Sequence, residues 1–226
     1  MCVKVKAKPH ALVIGGSSGL GLAIGQALAK KYQVIVTGRT DPKKSRVRFR
    51  SLPLTPLSEL ASRLDAFCGG LPQVDLLVYA AGFYQEGLID ELKDEDVLDM
   101  FSVGSVAPAL LVQRIVRKQG VLNGFIAVSS TSQWVPRKRE PVYTATKAAL
   151  AQLSHSLAED ERIKKVMVVA PAGMNTPFWK DPKDTATMLD PQWVAKNILV
   201  AYCGEYGYRF ARILREPPRV EVVVTE

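Results

Sequence analysis

The stretch "ALVIGGSSGLG", residues 11–21, decides the fold by the order of its parts. Four apolar residues come first and fit a buried strand. Gly15, Gly19 and Gly21 fall in the turn that follows. Leu20, Ala23, Ile24, Ala27 and Leu28 then recur at helical spacing. Glycines let a backbone turn tightly and approach a ligand, and a helix N-terminus favours an anionic phosphate. A glycine pattern alone says little. With a strand before it and a helix after it, this one points to dinucleotide binding.

Working outward, the same alternation continues. "QVIVT" (33–37) reads as a second strand and "RVRFRSL" (46–52) as a third near an edge. Thr55 before Pro56 reads as an N-cap with proline at the first helical position, opening a helix that ends before Gly69 and Gly70. "VDLLVYAA" (74–81) is a buried strand. A long helical pattern follows over 94–118 and stops at Gly120. "GFIAVSS" (124–130) is the next strand, and a helix bearing Tyr143 and Lys147 comes after it. "KVMVVA" (165–170) is a sixth strand, Asp190 and Pro191 cap a further helix, and "VEVVVTE" (220–226) is a seventh strand. Alternating strands and helices predict right-handed βαβ units. The expected fold is α/β, one Rossmann-type domain over 1–226, with a doubly wound parallel sheet of about seven strands covered by helices on both faces. Ligands bind such sheets at the carboxyl ends of the strands.

Bulk properties narrow the class. The 226 residues are 47% hydrophobic and 23% charged, ordinary for a globular domain. The basic start and first apolar run superficially resemble a signal peptide, but Gly15 and Gly16 break the run too early, and no apolar run is long enough to span a bilayer. Cys2, Cys68 and Cys203 form neither a disulfide framework nor a zinc pattern, and His10 and His155 add little, so no metal and a reducing cytoplasm are expected. The net charge of +8 is concentrated in 38–50 and in Arg137, Lys138 and Arg139. No nucleic-acid-binding motif accompanies it, and neither a nucleic-acid nor a membrane partner is expected.

The strand ends carry the chemistry. After the second strand comes Arg39, where an acidic residue would suit the ribose 2′-hydroxyl of NAD. An arginine there suits the 2′-phosphate of NADP, and Lys43 and Lys44 are near. Asp41 is the one acidic residue close by. NADP(H) is therefore expected over NAD(H). After the fifth strand stand Ser129 and Ser130, and thirteen residues beyond Ser130 is Tyr143, four before Lys147. Positions four apart share a helix face. Alone, the pair could be a solvent-exposed contact.

Together these residues resemble the short-chain dehydrogenase/reductase family, in its small single-domain branch. "IGGSSGLG" is similar to the family's TGxxxGxG except for Ile14. Tyr143 and Lys147 match its YxxxK, Ser130 its catalytic serine, and "PAGMNT" (171–176) its PGxxxT. The resemblance runs from about Ala11 to the last strand. It implies Ser130, Tyr143 and Lys147 as catalytic residues. It implies a cofactor held by Gly15, Ser17, Ser18, Gly19, Leu20, Gly21, Arg39, Thr40, Leu54, Ala81, Gly82, Tyr143, Lys147, Pro171, Gly173 and Thr176. The implied reaction interconverts a carbonyl compound and an alcohol. The Lys147 ammonium is expected to lower the Tyr143 pKa, Ser130 to hold the carbonyl, and Lys147 to bind the nicotinamide ribose. A homodimer or homotetramer is implied, with Ala145, Ala148, Ala149, Leu153 and Leu157 at an interface or on the sheet.

Six positions depart from the pattern. The family's NNAG reads Tyr79-Ala80-Ala81-Gly82, and with Ile14 this suggests a polar contact between strands exchanged for an apolar one. Gly104 stands where the long helix of the family carries an asparagine that holds a relay water. Water in the vacated space would relay protons anyway, so slower turnover rather than none is expected. Pro53 replaces an aspartate near the adenine, and Ala172 replaces a glycine. These breaks leave open an alternative: an NADP-binding protein with little or no catalysis, acting as a sensor or scaffold. Phe178, Trp179, Lys180, Lys183, Trp134 and Arg137 are expected around the substrate.

Overall fold

The computed structural model describes residues 7–178 and 187–226. Within them eight strands form one sheet in the order β3-β2-β1-β4-β5-β6-β7-β8. They are β1 (His10–Ile14), β2 (Gln33–Gly38), β3 (Arg48–Ser51), β4 (Leu76–Tyr79), β5 (Gly124–Val128), β6 (Val166–Pro171), β7 (Tyr208–Arg215) and β8 (Pro218–Thr225). The helices are α1 (Gly19–Leu28), α2 (Leu57–Gly69), α3 (Asp94–Phe101), α4 (Ala107–Gln119), α5 (Pro141–Leu157) and α6 (Pro191–Ala201). Strands β1 to β7 pair in parallel, and β8 runs antiparallel to β7.

The pleat sorts the core into two layers. Ala11, Val13, Val78, Ile126 and Val169 face α1 and α6, packing with Ala23, Ile24, Val194 and Ile198. Leu12, Ile14, Leu77, Phe125 and Val168 face the other way, onto Leu60 and Leu64 of α2, Leu111 and Ile115 of α4 and Leu150 of α5. Central strands buried on both faces must be apolar throughout, which is why they read as unbroken runs. Among the described residues no helix is long and apolar enough to cross a membrane.

The expectations need correction at four points. The sheet has an eighth strand: β7 was not anticipated, because Arg209, Arg212 and Arg215 interrupt its apolar residues. The last strand is antiparallel because a short turn, not a crossover helix, joins it to β7. Pro56, not Thr55, is the N-cap of α2, with extended φ and ψ of −71° and 162°. The long helix over 94–118 is interrupted: Ser102–Val106 form a π-helical segment between α3 and α4. Proline cannot supply the amide that an α-helix would send from position 108 to the Gly104 carbonyl, which accounts for the wider turn there.

Candidate active site

One cleft of about 970 Å³ opens at the carboxyl ends of the strands. Its floor begins at the glycine turn. Gly15 takes φ of +77°, and a Cβ there would stand 2.6 Å from the Ala81 backbone, so only glycine lets the ends of β1 and β4 meet. The Gly15 amide donates a long hydrogen bond of 3.4 Å to the Thr37 hydroxyl of β2. Ser17 packs onto Gly38, where a Cβ would come 2.0 Å from its Oγ, and this brings the turn beside Arg39. At the start of α1 the N-cap Ser18 makes no side-chain cap. The first amides of that helix therefore point at the cleft unclaimed by a side chain, which suits an anion.

The second wall comes from β5 and α5. Ser129 donates to the Lys147 carbonyl at 3.1 Å, and Lys147 Nζ donates to the Val128 carbonyl at 3.1 Å. These reciprocal bonds lace the strand end to the helix and fix the lysine. Ser130 starts a short 3-10 turn, Thr131–Gln133, and accepts from the Ser132 amide. Lys147 Nζ lies 5.7 Å from the centre of the Tyr143 ring. Tyr84 meets that ring edge-on at 5.4 Å, and Phe178 lies 6.0 Å from it and over Gly82.

Burial governs the ionisation of this wall. It pushes the Tyr143 phenol well above its ordinary range. The nearby Ser130 hydroxyl opposes that rise, and the carboxylate of Glu140 adds to it. Burial also lowers Lys147 from 10.5 to about 8. The expectation that Lys147 lowers the Tyr143 pKa is thus corrected for the ligand-free chain. Loss of water outweighs the opposing Ser130 hydroxyl, and Tyr143 stays a phenol at neutral pH. Glu140 is itself raised by burial, with Arg137 and the Ser132 hydroxyl opposing the rise.

Ser130, Tyr143 and Lys147 all line the cleft. So do Gly15, Ser17, Ser18, Gly19, Leu20, Gly21, Arg39, Leu54, Ala81, Gly82, Pro171, Gly173 and Thr176. Thr40 does not: it is exposed one residue beyond the rim. Trp134, Arg137 and Phe178 also line the cleft, whereas Trp179, Lys180 and Lys183 lie outside the described residues. Sequence reasoning missed Tyr84, Glu140, Arg215 and Glu216, which also line the cleft. No local signal marked the last two, because the arginines of β7 recur every third residue, out of step with the alternation of a strand.

Two departures acquire a structural account. Ile14 and Tyr79 are register partners on adjacent strands, both fully buried, and their contact is apolar. At Gly104 there is no vacated space: a Cβ would stand 2.6 Å from the Cβ of Thr146 and 2.7 Å from its Oγ1. Thr146 fills the room that a side chain at 104 would need.

The fold and the cleft define a dinucleotide-binding α/β protein with a serine, a tyrosine and a lysine gathered beside the nucleotide turn. The family model for short chain dehydrogenases matches residues 9–187. The chain belongs to that family, whose members are oxidoreductases that use a nicotinamide cofactor. Its relatives include a human 3-oxoacyl-[acyl-carrier-protein] reductase, 28% identical over 85% of this chain and 84% of the relative. Carbonyl reductase family member 4 of Xenopus laevis is 25% identical over 83% and 88%. A short-chain dehydrogenase from Streptomyces avermitilis superposes with a TM-score of 0.73 at 26% identity, over 92% of this chain and 89% of that one. A Sphingobium yanoikuyae short-chain dehydrogenase, solved in complex with NADPH, shares the fold with a TM-score of 0.73 at 20% identity, over 86% and 84%.

Proposed function

We propose that the protein is an NADPH-dependent oxidoreductase interconverting a carbonyl compound and an alcohol. The observation that carries this reading is the meeting of Ser130, Tyr143 and Lys147 in the same cleft as the glycine turn and Arg39. The residues fit NADP. The turn and the uncapped start of α1 suit a pyrophosphate, and among the described residues Arg39 has no acidic partner. The Asp41 carboxylate, the one acid near enough to favour NAD, accepts from the Lys43 amide at 2.8 Å and closes its own loop.

When bound, the nicotinamide supplies the hydride. Tyr143, held as a phenol by burial, gives its proton to the carbonyl oxygen. Ser130 orients that oxygen. Lys147 stands behind the ring and stabilises the phenolate left after proton transfer. Tyr84, Phe178 and Trp134 offer an apolar mouth, which fits a small or flat carbonyl compound. Exposed Ala145, Ala148 and Ala149 on α5 suit close approach of a second copy, as in a homodimer or homotetramer. A cytoplasmic setting suits the reduced cofactor.

A second reading, binding without turnover, rests on Gly104, which has no side chain to hold a relay water and leaves no room for such a side chain beside Thr146. Parallel titration with NADPH and NADH at fixed salt tests the first part. NADPH is expected to bind more tightly, and Arg39→Ala to weaken it about tenfold to a hundredfold, the value of a charge-assisted contact. Equal affinity for both nucleotides would overturn the NADP assignment. A carbonyl screen with Tyr143→Phe as control separates the two readings: wild-type turnover lost in the variant supports catalysis, and NADPH binding without turnover supports a sensor or scaffold.

A further inference from the structure

The π-helical segment leaves the Val103 carbonyl without a helical donor. The Ala107 amide, which an α-helix would give to the Val103 carbonyl, goes to Ser102 instead. The next candidate five residues on is Pro108, which has no amide hydrogen. The Val103 carbonyl is buried, and the Tyr79 hydroxyl donates to it from β4. Tyr79 is fully buried and, as a phenol in apolar surroundings, remains a donor.

What this bond holds is close to the chemistry. Val103 lines the cleft. Ser102 donates to the Leu54 carbonyl at 2.6 Å, tying the segment to the loop after β3. Gly104 packs against Thr146, and the Thr146 hydroxyl donates to the Tyr143 carbonyl at 2.8 Å. We infer that Tyr79, standing where the family has an asparagine, is a positioning residue: its hydroxyl completes the π-helical segment and, through the Gly104–Thr146 contact, sets the turn of α5 that carries Tyr143. The inference rests on the proposed role of Tyr143 as the acid.

A double-substitution cycle tests it. Tyr79→Phe keeps the ring and removes the donor. Pro108→Ala returns an amide hydrogen to position 108, in i→i+5 reach of the Val103 carbonyl. Two readouts are taken: amide hydrogen exchange of segments 102–109 and 143–150 in the ligand-free chain, and steady-state reduction of 1-phenyl-1,2-propanedione with NADPH. Tyr79→Phe is expected to speed exchange in both segments and to lower kcat about tenfold or more, with KM for NADPH changed less than about threefold. Adding Pro108→Ala is expected to recover most of both losses. A role for Tyr79 in packing alone predicts no recovery, so costs that simply add would overturn the inference, as would unchanged exchange over 143–150 in Tyr79→Phe. If the wild type binds NADPH but reduces nothing, that counts against Tyr143 as the acid, and the exchange cycle still decides the role of Tyr79.

Discussion

Replacing Lys147 by methionine should abolish turnover and yet make the ligand-free protein more stable. The side chain is 4% exposed, and burial lowers its pKa from 10.5 to about 8. One pKa unit is worth about 1.4 kcal/mol, so holding the charged lysine costs the fold about 3 kcal/mol at neutral pH. Methionine has similar length and no charge. It forfeits the hydrogen bond to the Val128 carbonyl, worth about 1 kcal/mol. Lys147→Met is therefore expected to exceed the wild type by about 2 kcal/mol at pH 7. The sign of the pH dependence follows. A lysine with a depressed folded pKa is penalised wherever both states are protonated, below about 8. The penalty fades as pH rises from there to 10.5, because the folded chain loses the proton first. The gap between variant and wild type should thus close between these values. Urea unfolding of both proteins across this window measures it, and other titrating groups cancel in the difference. A variant less stable than wild type at neutral pH, or a gap that does not change with pH, would refute the reasoning.

Two further substitutions probe the glycine positions. Gly104→Asn, which restores the family residue, is expected to destabilise by about 2 kcal/mol or more, because its Cβ meets Thr146 at 2.6 Å. Thermal unfolding reads this as a fall in Tm, and an unchanged Tm would show that α5 yields easily. Gly15→Ala combines φ of +77° with a 2.6 Å contact to the Ala81 backbone. It is expected to cost about 2–4 kcal/mol and to abolish NADPH binding in the titration described above. Retained binding would mean that the turn is not the nucleotide cradle.

The central strands were legible because burial on both faces leaves no choice but unbroken apolar residues, as in "ALVI" and "VMVV". The glycine turn was legible because backbone approach leaves no choice but glycine at Gly15. Spacing alone placed Tyr143 and Lys147 on one helix face, and the cleft then gathered them with Ser130. What escaped depended on contacts made across the fold. β7 is half exposed and carries arginines, so its pattern is diluted. The π-helical segment had a local sign in Pro108, but its completion by Tyr79 needs a partner 24 residues away. The ionisation of Tyr143 was misjudged because a spacing rule names the neighbouring charge and not the loss of water.

The fit of Gly104 under Thr146 constrains how such a chain can change over generations. An asparagine regained at 104 by a lone replacement meets the threonine that already occupies its room. A serine at 146 keeps the hydroxyl but does not make the room, because the 2.6 Å contact is to the Cβ, so the return requires the turn of α5 that carries Tyr143 to move away. The two sites act as a ratchet: the way back to asparagine passes through a protein with a loosened tyrosine.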